Sequence, residues 1–370
     1  MGTDRRKRRK KRDSIPLRLK IIGLLAVLVL GVGCPCVKGA VNASPGLRWW
    51  LFSNFGASKV CQEMLKRGAP LRLNEGGNVI GRFFPTRCTN EIHDEGIRNN
   101  PNKTGSMTLH FGGTGYAWTP LAGRIGFSMD ASVDYEFDFE MGEDDVYVYA
   151  KNPLIVKGPD FRVGHVENKV VNWGLQSPAG YMVNTFGNQI VKSQLASGFT
   201  VLHGDAGDDF TLGILRPPGK PKHPFDAGDG DKYVFANETA EIHNGQLDFV
   251  GPFEVADSDQ ALFFRIRLNG PALDGVVVPR GTGDLWREGI QRGGAVGPPP
   301  GPPIAGFTIT PGKETRQKIK VPVGQYYLVI ENGAALGTAS PPWNPLSTLG
   351  ANLAVTSYIV ELADEDDEFE

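Results

Sequence analysis

The sequence predicts a mainly β protein. Two β-rich domains, a curved sheet or barrel-like one and then a β-sandwich, follow an N-terminal hydrophobic anchor, with one short helix near residues 57–67. Three observations carry this. Gly (48) and Pro (27) make up 75 of 370 residues, about a fifth, against the roughly 12% of average usage, so turns are many and long helices few. From about residue 79 the apolar period is 2, the period of a half-buried strand. Beyond residue 233, short strands recur at the 8–12-residue spacing of a sandwich.

The chain opens with a basic segment, 1–20, holding ten Lys/Arg and two acids, Asp4 and Asp13. Thirteen uncharged residues follow, Ile21 to Gly33, then Cys34-Pro35-Cys36-Val37 before Lys38. A cationic stretch ahead of an apolar run of this length has the form of a bacterial export signal. Read to Val37, the apolar segment 21–37 has the lower-limit length for a spanning helix. Gly33-Cys34 resembles the lipobox of bacterial lipoproteins, which implies acylation of Cys34. Gly31 stands where that family prefers Leu. An uncleaved anchor and cleavage after Ala43 are the other two outcomes.

The remainder, 21–370, carries 29 basic and 39 acidic residues, a net charge of −10. That excludes non-specific nucleic-acid binding by the body, since it would bring negative charge to a polyanion. Export makes disulfides available. Cys61 and Cys88 are the Cys of the body, and paired they close a loop of about 28 residues. Two buried free thiols are the alternative.

The first domain is expected over 45–215. Residues 45–56 are rich in aromatics, and Trp49 and Trp50 are placed either at a membrane interface or against the domain. Ala57, Val60, Cys61, Met64 and Leu65 form one apolar stripe, predicting the helix over 57–67, with Gly68 and Pro70 ending it. Strands are expected at 106–111, 123–130, 133–141, 146–149, 160–166, 169–173, 181–184, 199–203 and 209–214. In Val133–Met141 every odd residue is apolar and Asp134, Glu136, Asp138 and Glu140 alternate with them. This predicts a strand with an acidic solvent face. A short stripe predicts a helix around 187–197. Gly112, Gly113, Gly115, Gly123 and Gly126 suit bulges or bends.

The segment 216–232 holds four Pro and several Gly and reads as a linker. The β-sandwich follows over 233–362, with strands at 233–235, 247–249, 261–268, 273–278, 306–309, 315–320, 325–331 and 353–361. A Pro-rich loop is expected over 293–305 and a solvated acidic tail over 363–370. Asp259–Ile266, Leu273-Asp274-Gly275-Val276-Val277, Val321-Pro322-Val323-Gly324-Gln325-Tyr326-Tyr327-Leu328-Val329-Ile330 and Ser357-Tyr358-Ile359-Val360 resemble the bacterial pre-peptidase C-terminal type of β-sandwich. The likeness covers about 100–130 residues. It implies an extracellular accessory module without catalysis of its own. The Pro-rich insertion departs from that pattern.

Chemistry-bearing motifs are sparse. Six His are scattered with no metal-site spacing. The nearest approach to a metal site is His203, Asp205 and Asp208, in a stretch that reads as an Asp- and Gly-rich hairpin turn. Asp226–Asp231 fails the Ca²⁺-loop pattern, because Gly228 and Gly230 fall where oxygen ligands are required. Gly112-Gly113-Thr114-Gly115 lacks the helix of a phosphate loop, and no Gly-x-Ser-x-Gly elbow is present. No cofactor or metal is expected. The sequence thus predicts a non-enzymatic protein of the bacterial cell envelope, its body periplasmic or at the cell surface. Its expected partners are a membrane, through the N-terminal segment, and other envelope proteins or lipid, with binding or scaffolding β domains. The alternatives are an exported metal-assisted hydrolase using His203, Asp205 and Asp208, and a lipid-binding envelope protein.

Overall fold

A computed structural model describes residues 35–72, 77–94, 104–120, 122–167, 191–204, 207–227, 232–336 and 353–369. Cys34, the basic segment and the apolar run lie outside these residues, as do the strands expected at 169–173 and 181–184. Of the first compact unit, Met1–Ser44, the described element is helix α1 (Pro35–Ala43).

The second unit is Pro45–Glu370. It opens with α2 (Pro45–Leu51), a π-helical turn (Phe52–Gly56) and α3 (Ala57–Met64). The strands are β1 (Ala69–Arg72), β2 (Val79–His93), β3 (Ser106–Thr119), β4 (Gly123–Met141), β5 (Val146–Val166), β6 (Phe199–Gly204), β7 (Gly207–Leu212), β8 (Tyr233–Ile242), β9 (Gln246–Val255), β10 (Gln260–Asn269), β11 (Leu273–Pro279), β12 (Ala305–Ile309), β13 (Thr315–Lys320), β14 (Gly324–Asn332) and β15 (Ala354–Asp364). A helix, α4 (Arg280–Gln291), connects β11 to the Pro-rich loop. The class is mainly β, as the period-2 runs predict. Among the described residues the sheets are open; neither closes into a barrel.

One sheet has eleven strands in the order β13-β10-β15-β8-β2-β3-β4-β5-β6-β7, with β1 on β2. The other is β12-β11-β14-β9. The strands of the first half are longer than their sequence signals, because β3, β4 and β5 run through their glycines. The β4–β5 ladder absorbs the mismatch as register shifts at Gly126/Phe127 and between Asp130 and Glu136. Gly113 lies mid-strand because a Cβ there would meet the Phe84 carbonyl oxygen at 2.1 Å.

Within 233–364 the two sheets pack face to face. Leu262, Phe264 and Ile266 of β10 and Tyr358 and Val360 of β15 meet Val250, Phe253, Val277, Leu328 and Ile330 of the smaller sheet. Alternation sends Tyr327 and Val329 of β14 the other way. There they bury against Trp286 and Ile290 of α4 and against Phe84 and Tyr116 of β2 and β3. The smaller sheet is therefore covered on both faces.

This second cover explains the main departure from the expected domains. The large sheet crosses from one half to the other where β2 meets β8, through the pair Val79↔Ala240. Segment 216–232 divides the sequence without dividing the compact unit. Its described part, 216–227, is packed down: Phe225 is buried under the Arg267 guanidinium, 4.3 Å from the ring centroid.

Three further expectations are corrected. Residues 280–291 form a helix where none was predicted. Gly281, Gly283 and Gly289 weaken its propensity, but Gly283 lets the helix approach Tyr327, whose Cδ2 lies 2.3 Å from a Cβ built there. The acidic comb of β4 is not a bare solvent face. Asp138 is buried between Arg48 (2.7 Å) and Lys151 (3.0 Å), and Asn152 and Arg216 engage Glu136 and Glu140. The acidic tail is held down as well: Phe369 packs edge-on against Phe263 at 5.3 Å. Lys318 and Lys232 donate to the carbonyls of Asp367 and Glu368.

Candidate functional site

The sequence-predicted residues do not converge. Cys61 of α3 and Cys88 of β2 form a disulfide, Cα–Cα 5.3 Å, and staple the helix to the sheet. His203 and Asp208 face each other across the β6–β7 hairpin, with Nδ1 to Oδ1 at 2.5 Å. Asp209, next in the strand, points to the opposite face and meets His223 Nε2 at 2.5 Å. Asp205 lies outside the described residues. Among the described residues no group of three or more His, Cys, Asp or Glu is placed to hold a metal ion.

What sequence reasoning missed is a buried polar network between the two halves. Arg82 of β2 donates to Asp248 of β9 through Nε (2.7 Å) and Nη2 (3.0 Å), and to Glu238 of β8 through Nη2 (2.7 Å). The Tyr116 hydroxyl donates to Asp248 at 2.9 Å and accepts the Phe249 N–H at 2.8 Å. Tyr358 of β15 joins both carboxylates at 3.0 and 3.1 Å. Burial opposes the charge on Arg82, but Asp248 and Glu238 overcome it and raise its pKa well above the ordinary value. Burial likewise works against the Asp248 carboxylate, yet Arg82 and the hydroxyls of Tyr116 and Tyr358 hold its pKa below the usual range. Burial pushes the Tyr116 and Tyr358 hydroxyls up. Every ionised group here is spent on a neighbour, so the network is a clamp. It offers no free base.

Beside it lies a crevice lined by Tyr116, Trp118, Glu241, His243, Gln246 and Asp248, with a cavity of about 20 Å³. That takes one water molecule, far below the roughly 300 Å³ of an organic ligand site. His243 stacks on Trp118, ring centroids 3.3 Å apart and planes 8° apart. Burial lowers its pKa to about 4, against the pull of Glu241 and Glu167. Its Nε2 makes no hydrogen bond, so a neutral imidazole presents one open polar atom. Nearby, Glu167 accepts from the Arg124 N–H and from Gln246 Nε2, both at 2.9 Å. No local sequence signal marks these residues: Arg82 stands in an apolar run and His243 beside an Asn-Gly turn, and their partners Asp248 and Trp118 are more than a hundred residues away.

The 45–64 helical run sorts its aromatics. Trp49 is buried and donates Nε1–H to Asp94 at 2.8 Å. Phe52 stacks on Phe137 at 4.9 Å. Trp50 and Phe55 remain 45% and 40% exposed. Among the described residues no helix is long and apolar enough to cross a membrane.

No protein-family model matches the chain, and no curated protein does. One solved structure it is similar to is described as "Bacillus endospore appendages form a novel family of disulfide-linked pili". The identity is 8%, over 39% of this chain and 98% of that one, with a TM-score of 0.20. A likeness of that size carries no argument about fold or function.

Proposed function

We propose that this is a non-enzymatic protein of the bacterial cell envelope, tethered to a membrane by its N-terminal segment, with a β-rich body that binds or scaffolds outside the cytoplasm. The observation that carries the reading is the Cys61–Cys88 bridge in a chain whose first 33 residues have the form of an export signal. Such bridges persist in oxidising compartments and are rare in the cytosol. The resemblance of 233–362 to an extracellular accessory sandwich agrees with it. The buried ionic clamp adds a reason for rigidity: a body locked across both halves presents fixed surfaces.

The test is the intact mass and thiol state of the native protein purified from its source. A membrane-bound form with Cys61 and Cys88 bridged is expected. The mass then separates acylation at Cys34, retention of residues 1–33 and cleavage near Ala43. A soluble cytosolic form with its first 33 residues intact and both thiols alkylatable overturns the proposal.

A further inference from the structure

We infer that the face of the 45–56 helical segment bearing Trp50 and Phe55 rests on the lipid surface of the membrane, as a second contact made by the body itself. The inference depends on the tethered reading above and deepens it.

Neighbouring tryptophans are treated oppositely: Trp49 is 3% exposed and Trp50 45%. The π-helical turn at Phe52–Gly56 makes this split possible. A π turn closes i to i+5 rather than i to i+4. Phe52 therefore enters the core, while Phe55 comes round beneath Trp50, ring centroids 6.0 Å apart and edge-on. One turn earlier Leu47 is 39% exposed, and one turn after Phe55 stands the exposed Lys59. Indole and phenyl rings beside a lysine suit the headgroup level, where an amphipathic ring keeps its apolar body in lipid and its N–H in water.

Single exposed aromatics are common on protein surfaces. Their place in the chain selects the occupant here. Eleven residues separate Gly33, the end of the apolar run, from Pro45. Nine of them are helical in Pro35–Ala43 and rise about 1.5 Å each, so the connection reaches about 25 Å at most. A chain held at 21–33 thus keeps this face close to the bilayer. Charge attraction is not the source of the contact. The body is net acidic, as counted above, and repels anionic lipid, so the contact rests on apolar burial and is insensitive to salt.

The full chain, reconstituted with phosphatidylcholine vesicles brominated in the upper acyl chain, is floated and its tryptophan emission measured. The wild type is expected to float and to be quenched, and Trp50→Phe to float equally and lose at least half of that quenching, in low and high salt alike. Far-UV circular dichroism checks that the variant is folded. Flotation with quenching unchanged in Trp50→Phe overturns the inference and leaves the tether standing. Failure to float overturns the tether and the inference with it. A Trp50-dependent change in oligomer mass without quenching assigns the face to a second copy and also overturns it.

Discussion

Arg82 and Asp248 form a two-pronged ion pair across 166 residues of chain, with Nε and Nη2 on the two carboxylate oxygens at 2.7 and 3.0 Å. Both side chains are buried, and the pair bridges the two halves that the sequence separates with a Pro/Gly segment. Removing the guanidinium leaves the buried Asp248 without its cation, while Glu238 keeps only Arg72, at 3.5 Å. Arg82→Met is therefore expected to lose about 3–5 kcal/mol of unfolding free energy, read from urea denaturation. A loss below 1 kcal/mol would mean that the two halves do not depend on this clamp.

His243 gives the fold an acid-sensitive element. Its folded-state pKa, about 4, lies below the ordinary value near 6.5. The unfolded chain therefore binds a proton first as pH falls. The contribution is complete above pH 6.5 and is lost between about 6.5 and 4, on the order of 3 kcal/mol at most. His243→Phe keeps a ring against Trp118 and is expected to flatten the stability profile in that window. An NMR titration placing the His243 midpoint above 6 would remove the basis of this prediction.

His223 has the opposite sign. Burial works against its charge, but the hydrogen bond to Asp209 and its charge raise the pKa above the ordinary value. That stabilisation is present at acidic pH and is lost as pH rises through the raised value. Asp209→Asn is expected to move the His223 midpoint down, measured by NMR, and an unchanged midpoint would show that Asp209 does not hold the charge there.

The Cys61–Cys88 bridge spans 27 positions. By loop-closure entropy it contributes about 3.5 kcal/mol. Reduction, or the double change Cys61→Ser and Cys88→Ser, is expected to lower the unfolding free energy by about that much, with protection lost first at α3 in hydrogen exchange. Exchange rates at α3 that do not respond to reduction would show that packing alone holds the helix.

Two glycines in neighbouring strands test the docking of α4. A Cβ at Gly126 would lie 1.9 Å from the Gln291 carbonyl oxygen, whereas at Gly164 the nearest atom is 3.7 Å away. Gly126→Ala is expected to cost about 1–3 kcal/mol through overpacking, and Gly164→Ala to be near neutral. Equal denaturation midpoints for the two variants would contradict the helix position.

The strands of the sandwich were legible because their signal is local. In Leu262-Phe263-Phe264-Arg265-Ile266 and Tyr326–Ile330, β-branched and aromatic residues alternate within reach of turn-forming Gly and Pro. Those properties act over a few residues whatever the rest of the chain does. The bridge was legible as a possibility for the same reason, since there was one pair of Cys in the body to consider. The helix Arg280–Gln291 was not, because its glycines argue against a helix and only Tyr327 on the facing strand makes Gly283 an advantage.

The sequence by itself therefore determined the β class, most strand positions, the charge asymmetry between the first twenty residues and the rest, and which cysteines could pair. The tertiary structure alone decided that the two halves share one sheet. It also decided that Arg82 meets Asp248 and Glu238, that His243 lies on Trp118, and that Trp49 turns inward while Trp50 stays out. The reason is physical: strand formation depends on neighbours a few residues apart, whereas burial of a charge or a ring depends on which distant surface arrives to cover it.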